Sequence, residues 1–291
     1  MDFVLALIIN GLILGGIYAL VVTGFNLLLL EGGIYQYAYP HLVVLSMYIC
    51  WAVLKITGNN VLLGFLSALF SGIVLGLMTE PIFRSLSKKS AAIASLIVSL
   101  GIAIIITDLL QRIINKGVNI AFPDTLRGQV TVIKYKLAVL SLGQLLTLLG
   151  SILVVGIVFY FLYKTKTGRA IRAIAQMPKA ARLIGLPVIN IGLISYIVSG
   201  ILGGVSSIFL IMSLGSASSR LGNDLAIKVI AIAIFAGLGN LTGGLIAALI
   251  LGMAESFAMG YLPGDWVNAI SFGMILIIVI VRPKGIFGVK T

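Results

Sequence analysis

Residues 3–30 read FVLALIINGLILGGIYALVVTGFNLLLL, and this run contains no charged side chain. A helix crosses the hydrocarbon core of a bilayer with about 20 consecutive apolar residues, so the run is long enough to span a membrane. The residues before it, Met1 and Asp2, lack the positive charge that begins a signal peptide. We therefore expect the run to remain in the protein as a transmembrane helix.

The rest of the chain has the same character. It has 291 residues, of which 60% are hydrophobic and only 10% are charged, and its mean hydropathy is +1.20. A soluble globular domain has about 25% charged residues, so a soluble fold is excluded. The length leaves little room for an extramembrane catalytic or nucleotide-binding domain, and we expect residues 1–291 to form a single membrane domain.

Further apolar stretches follow the first, and their positions predict the fold class. Only helices and closed barrels satisfy the backbone in lipid, and the alternation of a barrel strand is absent, so the stretches are predicted as helices. We predict an all-α polytopic membrane protein with about eight or nine transmembrane helices, some short or broken at Glu31–Gly33, Tyr39-Pro40 and 237–244. The apolar stretches are 3–30, 40–57, 61–80, 91–111, 138–163, 188–213, 225–241, 243–262 and 266–281.

The formal charge of +12 arises from 20 Lys+Arg against 8 Asp+Glu, and basic loops beside apolar spans explain it better than nucleic-acid binding does. The segment 164–187 carries basic but no acidic residues, which predicts a cytoplasmic location, and alternation of the spans places the C-terminal tail there too. The longer 112–137 loop on the other side is also basic, but long loops count for less. The basic residues of 164–187 are Lys164, Lys166, Arg169, Arg172, Lys179 and Arg182.

Small apolar residues alternate with the basic ones in 164–187, and Pro178 interrupts them. This pattern predicts a short amphipathic helix, a break and a second small-residue helix. Such a loop can lie on anionic lipid, or it can be a rigid knob that docks in a groove of a cytoplasmic partner. Composition alone leaves both interpretations open.

Groups for catalysis are scarce. The chain has one histidine, His41, and one cysteine, Cys50, so neither a metal cluster nor an internal disulfide is expected. Acids inside spans are costly and functional by default, which makes Asp108 and Glu255 candidates. The alternative is that these acids cap helices or pair with basic residues such as Arg112 and Lys228. The sequence predicts no enzyme, and it is poor in the buried ion sites of an ion-coupled carrier.

Glycine is abundant, at 34 residues. Many glycines follow small-xxx-small spacing, which lets helix backbones approach closely, either inside one subunit or at a dimer seam. These are Gly11, Gly15 and Gly16; Gly72 and Gly76; Gly200, Gly203 and Gly204; and Gly239, Gly243 and Gly244.

The 164–187 loop contains Thr167-Gly168-Arg169-Ala170-x-Arg172-Ala173-x-Ala175-Gln176, followed by Ala181 and by Leu183 to Val188. This stretch is similar to the cytoplasmic coupling loop of the permeases of branched-chain amino acid ABC importers, and three further stretches agree. Lys228 to Gly252 resembles their K-x-x-x-A…G-G-x-G segment, and Arg282-Pro283-Lys284-Gly285-Ile286-Phe287-Gly288 resembles their R-P-x-G-[LI]-F-G ending. Ser90 to Gly101 resembles their third-span region.

The resemblance implies one transmembrane subunit of an ABC importer in a bacterial plasma membrane, with the 164–187 loop and the C-terminus in the cytoplasm. The implied protein partners are a second permease, which gives a homo- or heterodimer, two cytoplasmic ATPases and an extracytoplasmic solute-binding protein. The ATPases would bind ATP and Mg. Membrane lipid is also an implied partner, and nucleic acid is not. This chain would bind no cofactor. The implied ATPase-coupling residues are Thr167, Gly168, Arg169, Arg172, Ala173, Gln176, Ala181 and Gly185, and the implied helix-packing residues are Gly237, Gly239, Gly243 and Gly244.

One segment departs from the family pattern G-x-x-N-F-A-H-G. Here Gln36 replaces the asparagine, Tyr39 the histidine and Pro40 the glycine that follows. We predict that this broken segment lines the translocation path, although aromatic residues of a membrane interface are an alternative. The predicted path residues are Tyr35, Gln36, Tyr37, Tyr39, Ser95, Ser99 and Asn240.

The cargo is therefore the most open question. Branched-chain or other amino acids lead, followed by urea or other amides, nucleosides and simple sugars. A secondary carrier or channel that works without ATP is the alternative from another class.

Overall fold

The computed structural model describes residues 2–85, 91–114, 118–123, 126, 131–135, 138–263, 266–282 and 285–286. Its helices are α1 (Asp2–Gly32), α2 (Tyr39–Ile56), α3 (Val61–Arg84), α4 (Ala91–Leu109), α5 (Leu142–Lys164), α6 (Lys166–Gln176), α7 (Pro178–Leu183), α8 (Val188–Leu214), α9 (Leu221–Ala236), α10 (Leu241–Tyr261) and α11 (Trp266–Val281). A π-helical segment, Leu110–Ile114, continues α4.

Seven helices in these ranges are long and apolar enough to cross a membrane. They are Phe3–Leu30, Tyr39–Ile56, Val61–Arg84, Ile93–Arg112, Leu142–Lys164, Val188–Leu214 and Leu241–Tyr261. The other two predicted spans, 225–241 and 266–281, correspond to α9 and α11, which have 16 residues each. The predicted all-α polytopic membrane fold, with some short helices, is confirmed.

The centre of the bundle consists of helices that approach closely at glycines. Helix α1 packs along α10, and α3 crosses α8. A Cβ atom on Gly72 of α3 would lie 2.5 Å from the carbonyl oxygen of Gly200 in α8. On α1, a Cβ on Gly15 would lie 2.9 Å from the Cα atom of Leu249 in α10. The predicted close packing at these glycines therefore occurs inside one subunit.

The chain between α1 and α2 leaves the helical conformation at residues 33–38, which we call the 33–38 break. It begins at Gly33, whose φ of +70° is a left-handed conformation that glycine adopts without a Cβ clash. Pro40 lies in the first turn of α2, where its missing N–H is not needed. The Tyr39 hydroxyl contacts Gly24 in α1 and the backbone of Ser199 in α8, both well inside their helices. Helix α2 therefore begins within the bundle rather than at its end.

One end of the bundle carries the 164–187 loop, and we call it the loop end. The turn between α9 and α10 lies there too, because Leu238 and Gly239 line the same cleft as Ala175 of α6. The end of the described chain folds onto this turn: the Ile286 N–H donates to the Phe235 carbonyl oxygen at 2.9 Å. The loop and the chain end after α11 thus share one end of the molecule.

The opposite end carries short strands. Strands β1 (Ile120–Ala121) and β4 (Ser216–Ala217) pair antiparallel, as do β2 (Thr131–Tyr135) and β3 (Ala138–Ser141). The prediction of helix from residue 138 is wrong for 138–141, because Ser141 ends the strand and caps α5. The Ser141 hydroxyl accepts a hydrogen bond from the Gln144 N–H at 3.2 Å, and the Gln144 side chain accepts one from the Ser141 N–H at 3.1 Å.

Candidate functional site

The backbone of the 33–38 break is held by two serines of α4. The Tyr35 N–H donates to Ser95 Oγ at 3.1 Å, and the Tyr37 N–H donates to Ser99 Oγ at 3.0 Å. The Ser99 hydroxyl also donates to the Tyr35 carbonyl oxygen at 3.0 Å. Serines four residues apart lie on one face of a helix, so α4 supplies the hydrogen bonds that the broken backbone lacks. Four predicted path residues are therefore brought together here.

Gln36 and Tyr39 point into the bundle. Gln36 Nε2 donates to Thr79 Oγ1 of α3 at 3.1 Å, and the Tyr39 hydroxyl donates to the Ser199 carbonyl oxygen at 2.9 Å. Both side chains are buried, and the cavity they line has a volume of about 10 Å³. In this conformation that space is far too small for an amino acid. Sequence reasoning missed Thr79 and Ser199, since single hydroxyls inside apolar runs give no distinguishing pattern.

A larger cleft of about 330 Å³ opens at the loop end. Tyr35, which is half-buried, lines it together with Gly33, Ala175 of α6 and the α9–α10 turn. Tyr35 is thus a predicted path residue that lies beside a space large enough for a small solute. The same cleft joins the 33–38 break to the 164–187 loop.

Asn240, the remaining predicted path residue, caps α10. Its side-chain oxygen accepts a hydrogen bond from the Gly243 N–H at 2.8 Å, and its carbonyl oxygen accepts one from Asn26 Nδ2 at 3.5 Å. Gly237 and Gly239 lie in the turn before it, both with positive φ. Gly244 faces the Asn26 side chain of α1. The four glycines predicted for helix packing therefore divide between a turn, a cap and a helix contact.

The 164–187 loop forms a helix, a break and a second helix, as predicted. Thr165 caps α6: its hydroxyl accepts a hydrogen bond from the Gly168 N–H at 3.0 Å and donates one to the Phe161 carbonyl oxygen at 2.6 Å. A Cβ atom on Gly168 would lie 2.5 Å from the Cα atom of Leu162. Only glycine therefore allows α6 to turn back this closely against the end of α5.

Helix α6 is amphipathic, and its apolar face docks on the bundle. Ile171 and Ile174, with Ala181 of α7, are buried in one cluster with Leu27 of α1 and Leu162 of α5. The predicted coupling residues occupy different environments. Arg169, Ala173, Gln176 and Gly185 are exposed, Thr167 is half-buried, and Gly168 and Ala181 are buried.

Arg172 differs from Arg169 in its contacts. Its Nε atom donates to the Leu162 carbonyl oxygen at 3.2 Å, and its guanidinium carbon lies 4.4 Å from the centre of the Tyr163 ring. Arg172 thus fastens α6 to the end of α5, whereas Arg169 points outward. The two arginines of the predicted coupling motif therefore lie in different environments.

The outer surface of the loop is apolar as well as basic. Met177, Leu183 and Ile184 are 67%, 89% and 75% exposed. Leucine and isoleucine at such exposure, beside basic residues, are typical of a surface that another protein or a membrane covers. The sequence prediction named charged and small residues and missed these three, because periodicity within a short loop does not show which apolar residues face outward.

The acids inside the spans are paired. Lys228 Nζ of α9 lies 2.9 Å from Glu255 Oε2 of α10, and the Tyr18 hydroxyl of α1 donates to the same oxygen at 2.6 Å. Arg112 Nε lies 2.6 Å from Asp108 Oδ1 at an exposed position. The pairing alternative for both acids is confirmed. No group of three His, Cys, Asp or Glu side chains within the described ranges is arranged to hold a metal ion.

Long apolar helices, packed closely around a buried break, define a multi-pass membrane protein. Residues 7–279 match the family model described as "Branched-chain amino acid transport system / permease component". The chain belongs to this family.

Known proteins of the family resemble the chain over nearly its whole length. The high-affinity branched-chain amino acid transport system permease protein BraD of Pseudomonas aeruginosa is 24% identical, covering 97% of this chain and 94% of the relative. The corresponding protein LivH of Escherichia coli is 23% identical, covering 96% and 94%. Among solved structures, PsaBC from Streptococcus pneumoniae in complex with Fab matches with a TM-score of 0.50 at 14% identity, over 94% of this chain and 91% of that chain, which shows a shared fold.

Proposed function

We propose that this protein is the transmembrane subunit of an ABC importer for branched-chain or other amino acids, driven by ATP hydrolysis in separate ATPase subunits. The match of residues 7–279 to the permease family carries this proposal. The relatives named above are permeases of branched-chain amino acid transport, which supports the cargo class. The scarcity of buried charged groups in this chain fits a permease that receives its solute from a binding protein.

The exposed surface of the 164–187 loop is the proposed contact with an ATPase. Met177, Leu183 and Ile184 supply an apolar tip, and Arg169 and Gln176 supply polar contacts at its edge. Small exposed apolar knobs of this kind fit a groove of a partner protein. An ATPase would hold this tip in its groove from the cytoplasmic side of the membrane.

The inner surface of the same loop is proposed to transmit movement of the loop to the helices of the bundle. Burial of Ile171 and Ile174 and the bond from Arg172 to Leu162 fix α6 to α1 and α5. Movement of the loop by an ATPase would therefore move these helices as a unit and change the cleft at Ala175. Rigid-body motion of packed helices is an established way to switch a pore between two states.

Tyr35 and the cleft at the loop end are the proposed inner part of the translocation path. The break, the loop and the α9–α10 turn all line this cleft, so it is the place where loop motion reaches the broken segment. Gln36, Tyr37 and Tyr39 would join the path when α3 and α8 separate. A second permease subunit and an extracytoplasmic binding protein would complete the assembly.

Reconstitution tests the proposal. The permease is placed in liposomes with its neighbouring-gene ATPases and binding protein, and uptake of labelled leucine is compared with uptake of fructose, urea and a nucleoside. We expect leucine uptake that requires ATP. Uptake that continues without ATP would instead indicate a carrier or channel.

A pair of variants tests the loop in the same system. Leu183→Asp places a charge on the exposed tip and should abolish ATP-driven uptake and stimulated ATPase activity while insertion stays normal. Asn190→Asp, at an exposed position just beyond the loop, is the matched control and should behave as wild type. Normal uptake by Leu183→Asp would contradict the assignment of the ATPase contact.

A further inference from the structure

We propose that the cavity beside Gln36 is an internal hydration site that holds one water molecule between the 33–38 break, α3 and α8. Its volume is about 10 Å³. A cavity needs about 10–15 Å³ to accept a water molecule, and the water needs two or more polar partners. Four of the lining residues are glycines, Gly72, Gly76, Gly200 and Gly203, so side chains leave the space open at this helix crossing.

Gln36 supplies the first partner. Thr79 donates its hydroxyl hydrogen to the Gly76 carbonyl oxygen at 2.8 Å, so its oxygen accepts the bond from Gln36 Nε2 at 3.1 Å. This fixes the orientation of the amide and leaves Gln36 Oε1 without a hydrogen-bond partner among the described residues. The side chain is fully buried. A buried carbonyl oxygen with no donor destabilises a fold, and ordered water is the usual remedy.

The hydroxyl residues of the cavity wall show what kind of ligand fits. Tyr39 donates to the Ser199 carbonyl oxygen, Ser199 to the Gly24 carbonyl oxygen and Ser46 to the Leu42 carbonyl oxygen, at 2.9, 3.0 and 3.0 Å. A hydroxyl has a single hydrogen, so each of these oxygens can now only accept. A ligand that pairs with Gln36 Oε1 and one of these oxygens must therefore be a hydrogen-bond donor, and water has the two O–H groups that this requires.

Gly203 offers a way to remove the water without changing a polar group. A Cβ atom there would lie 3.5 Å from the Tyr39 hydroxyl oxygen and 3.5 Å from Val43 Cγ2, which is ordinary contact. Gly203→Ala therefore fits the helix crossing and places its methyl group in the cavity. Gly72 is unsuitable, because its Cβ would collide with the backbone of Gly200. Gly156→Ala in α5 is the matched control, since a Cβ there meets nothing within 4 Å.

The first test is a structure of the full-length permease in lipid nanodiscs at a resolution that shows ordered water. We expect a density peak about 2.5–3.0 Å from Gln36 Oε1 in the wild type and none in Gly203→Ala. An empty cavity in the wild type, or a rotated Gln36 amide whose oxygen bonds to protein, would overturn the proposal.

Thermal unfolding is the second test. Ala is the better helix former, so Gly156→Ala should unfold at or above the wild-type temperature. Gly203→Ala should unfold at a lower temperature than Gly156→Ala, because displacing the water leaves Gln36 Oε1 without a hydrogen-bond donor. Adding Gln36→Met, which has no such oxygen, should remove the difference between the Gly203→Ala and Gly156→Ala backgrounds. Equal behaviour of the two glycine variants with Gln36 intact would show that no water is displaced.

Discussion

The ion pair between Lys228 and Glu255 offers the sharpest test of how the bundle is held together. Its side chains are 11% and 0% exposed, the two charges lie 2.9 Å apart, and Tyr18 donates to the same carboxylate oxygen. The three residues come from α9, α10 and α1, so the cluster joins three helices. Lys228→Met removes the ammonium and leaves the carboxylate buried.

The expected cost follows from that burial. Removing one partner of a buried ion pair destabilises a protein by about 3–5 kcal/mol. A domain is stable by only about 5–15 kcal/mol, so this variant should lose a large part of its stability. In the double variant Lys228→Met/Glu255→Gln both charges are gone, and the amide oxygen still accepts from Tyr18. Replacing a whole buried pair is often neutral, so the double variant should regain most of the lost stability.

The assay is thermal unfolding of the purified permease in detergent, read from the fraction that stays monodisperse after heating. The control is Arg112→Met, which breaks the exposed pair with Asp108 and should change stability by about 1 kcal/mol or less. Side chains of this control pair are 78% and 51% exposed. A Lys228→Met variant as stable as wild type, or a double variant less stable than Lys228→Met, would refute the reasoning.

Three further variants test the loop and the break. Gly168→Ala forces a methyl group into the backbone of α5, so it should lower the free energy of unfolding by about 1–3 kcal/mol. It should also uncouple ATPase activity from uptake. The control Gly156→Ala should have neither effect. Ser99→Ala leaves the Tyr37 N–H without its acceptor and should lower stability by about 1–3 kcal/mol, with faster hydrogen exchange confined to the 33–38 break; exchange unchanged from wild type would contradict this. Arg172→Met should loosen α6 and raise protease cleavage of the loop in the isolated permease, while Arg169→Met, at an exposed position, should leave cleavage unchanged.

Much of the fold could be predicted because a membrane helix is specified by the apolar run itself. Nearly every predicted stretch became a helix, and the interruptions at Gly33 and Gly237 fell where glycine adopts positive φ. The helix-break-helix pattern of 164–187 also followed from local residues. These features depend on neighbours in the chain, which the sequence shows directly.

The remaining features depend on contacts between distant residues. Lipid and protein interior are equally apolar, so hydropathy does not show which face of a span packs against another helix. For that reason the burial of Gln36 beside Thr79 could not be predicted, nor could the different contacts of Arg169 and Arg172. Residues 138–141 pair as a strand because β2 lies opposite, and their apolar character alone indicated helix.

The packing of α1 along α10 has a consequence for biosynthesis. Gly15 of α1 contacts Leu249 of α10, and the Tyr18 hydroxyl bonds to Glu255, so α1 meets its main partner more than two hundred residues later in the chain. Each helix forms its backbone hydrogen bonds internally, so α1 is stable in lipid before α10 is present. The glycines of α1 that face α10 lack this partner until α10 leaves the ribosome. Assembly of the bundle centre is therefore a late event, and chains released before residue 255 would insert into the membrane yet lack this contact.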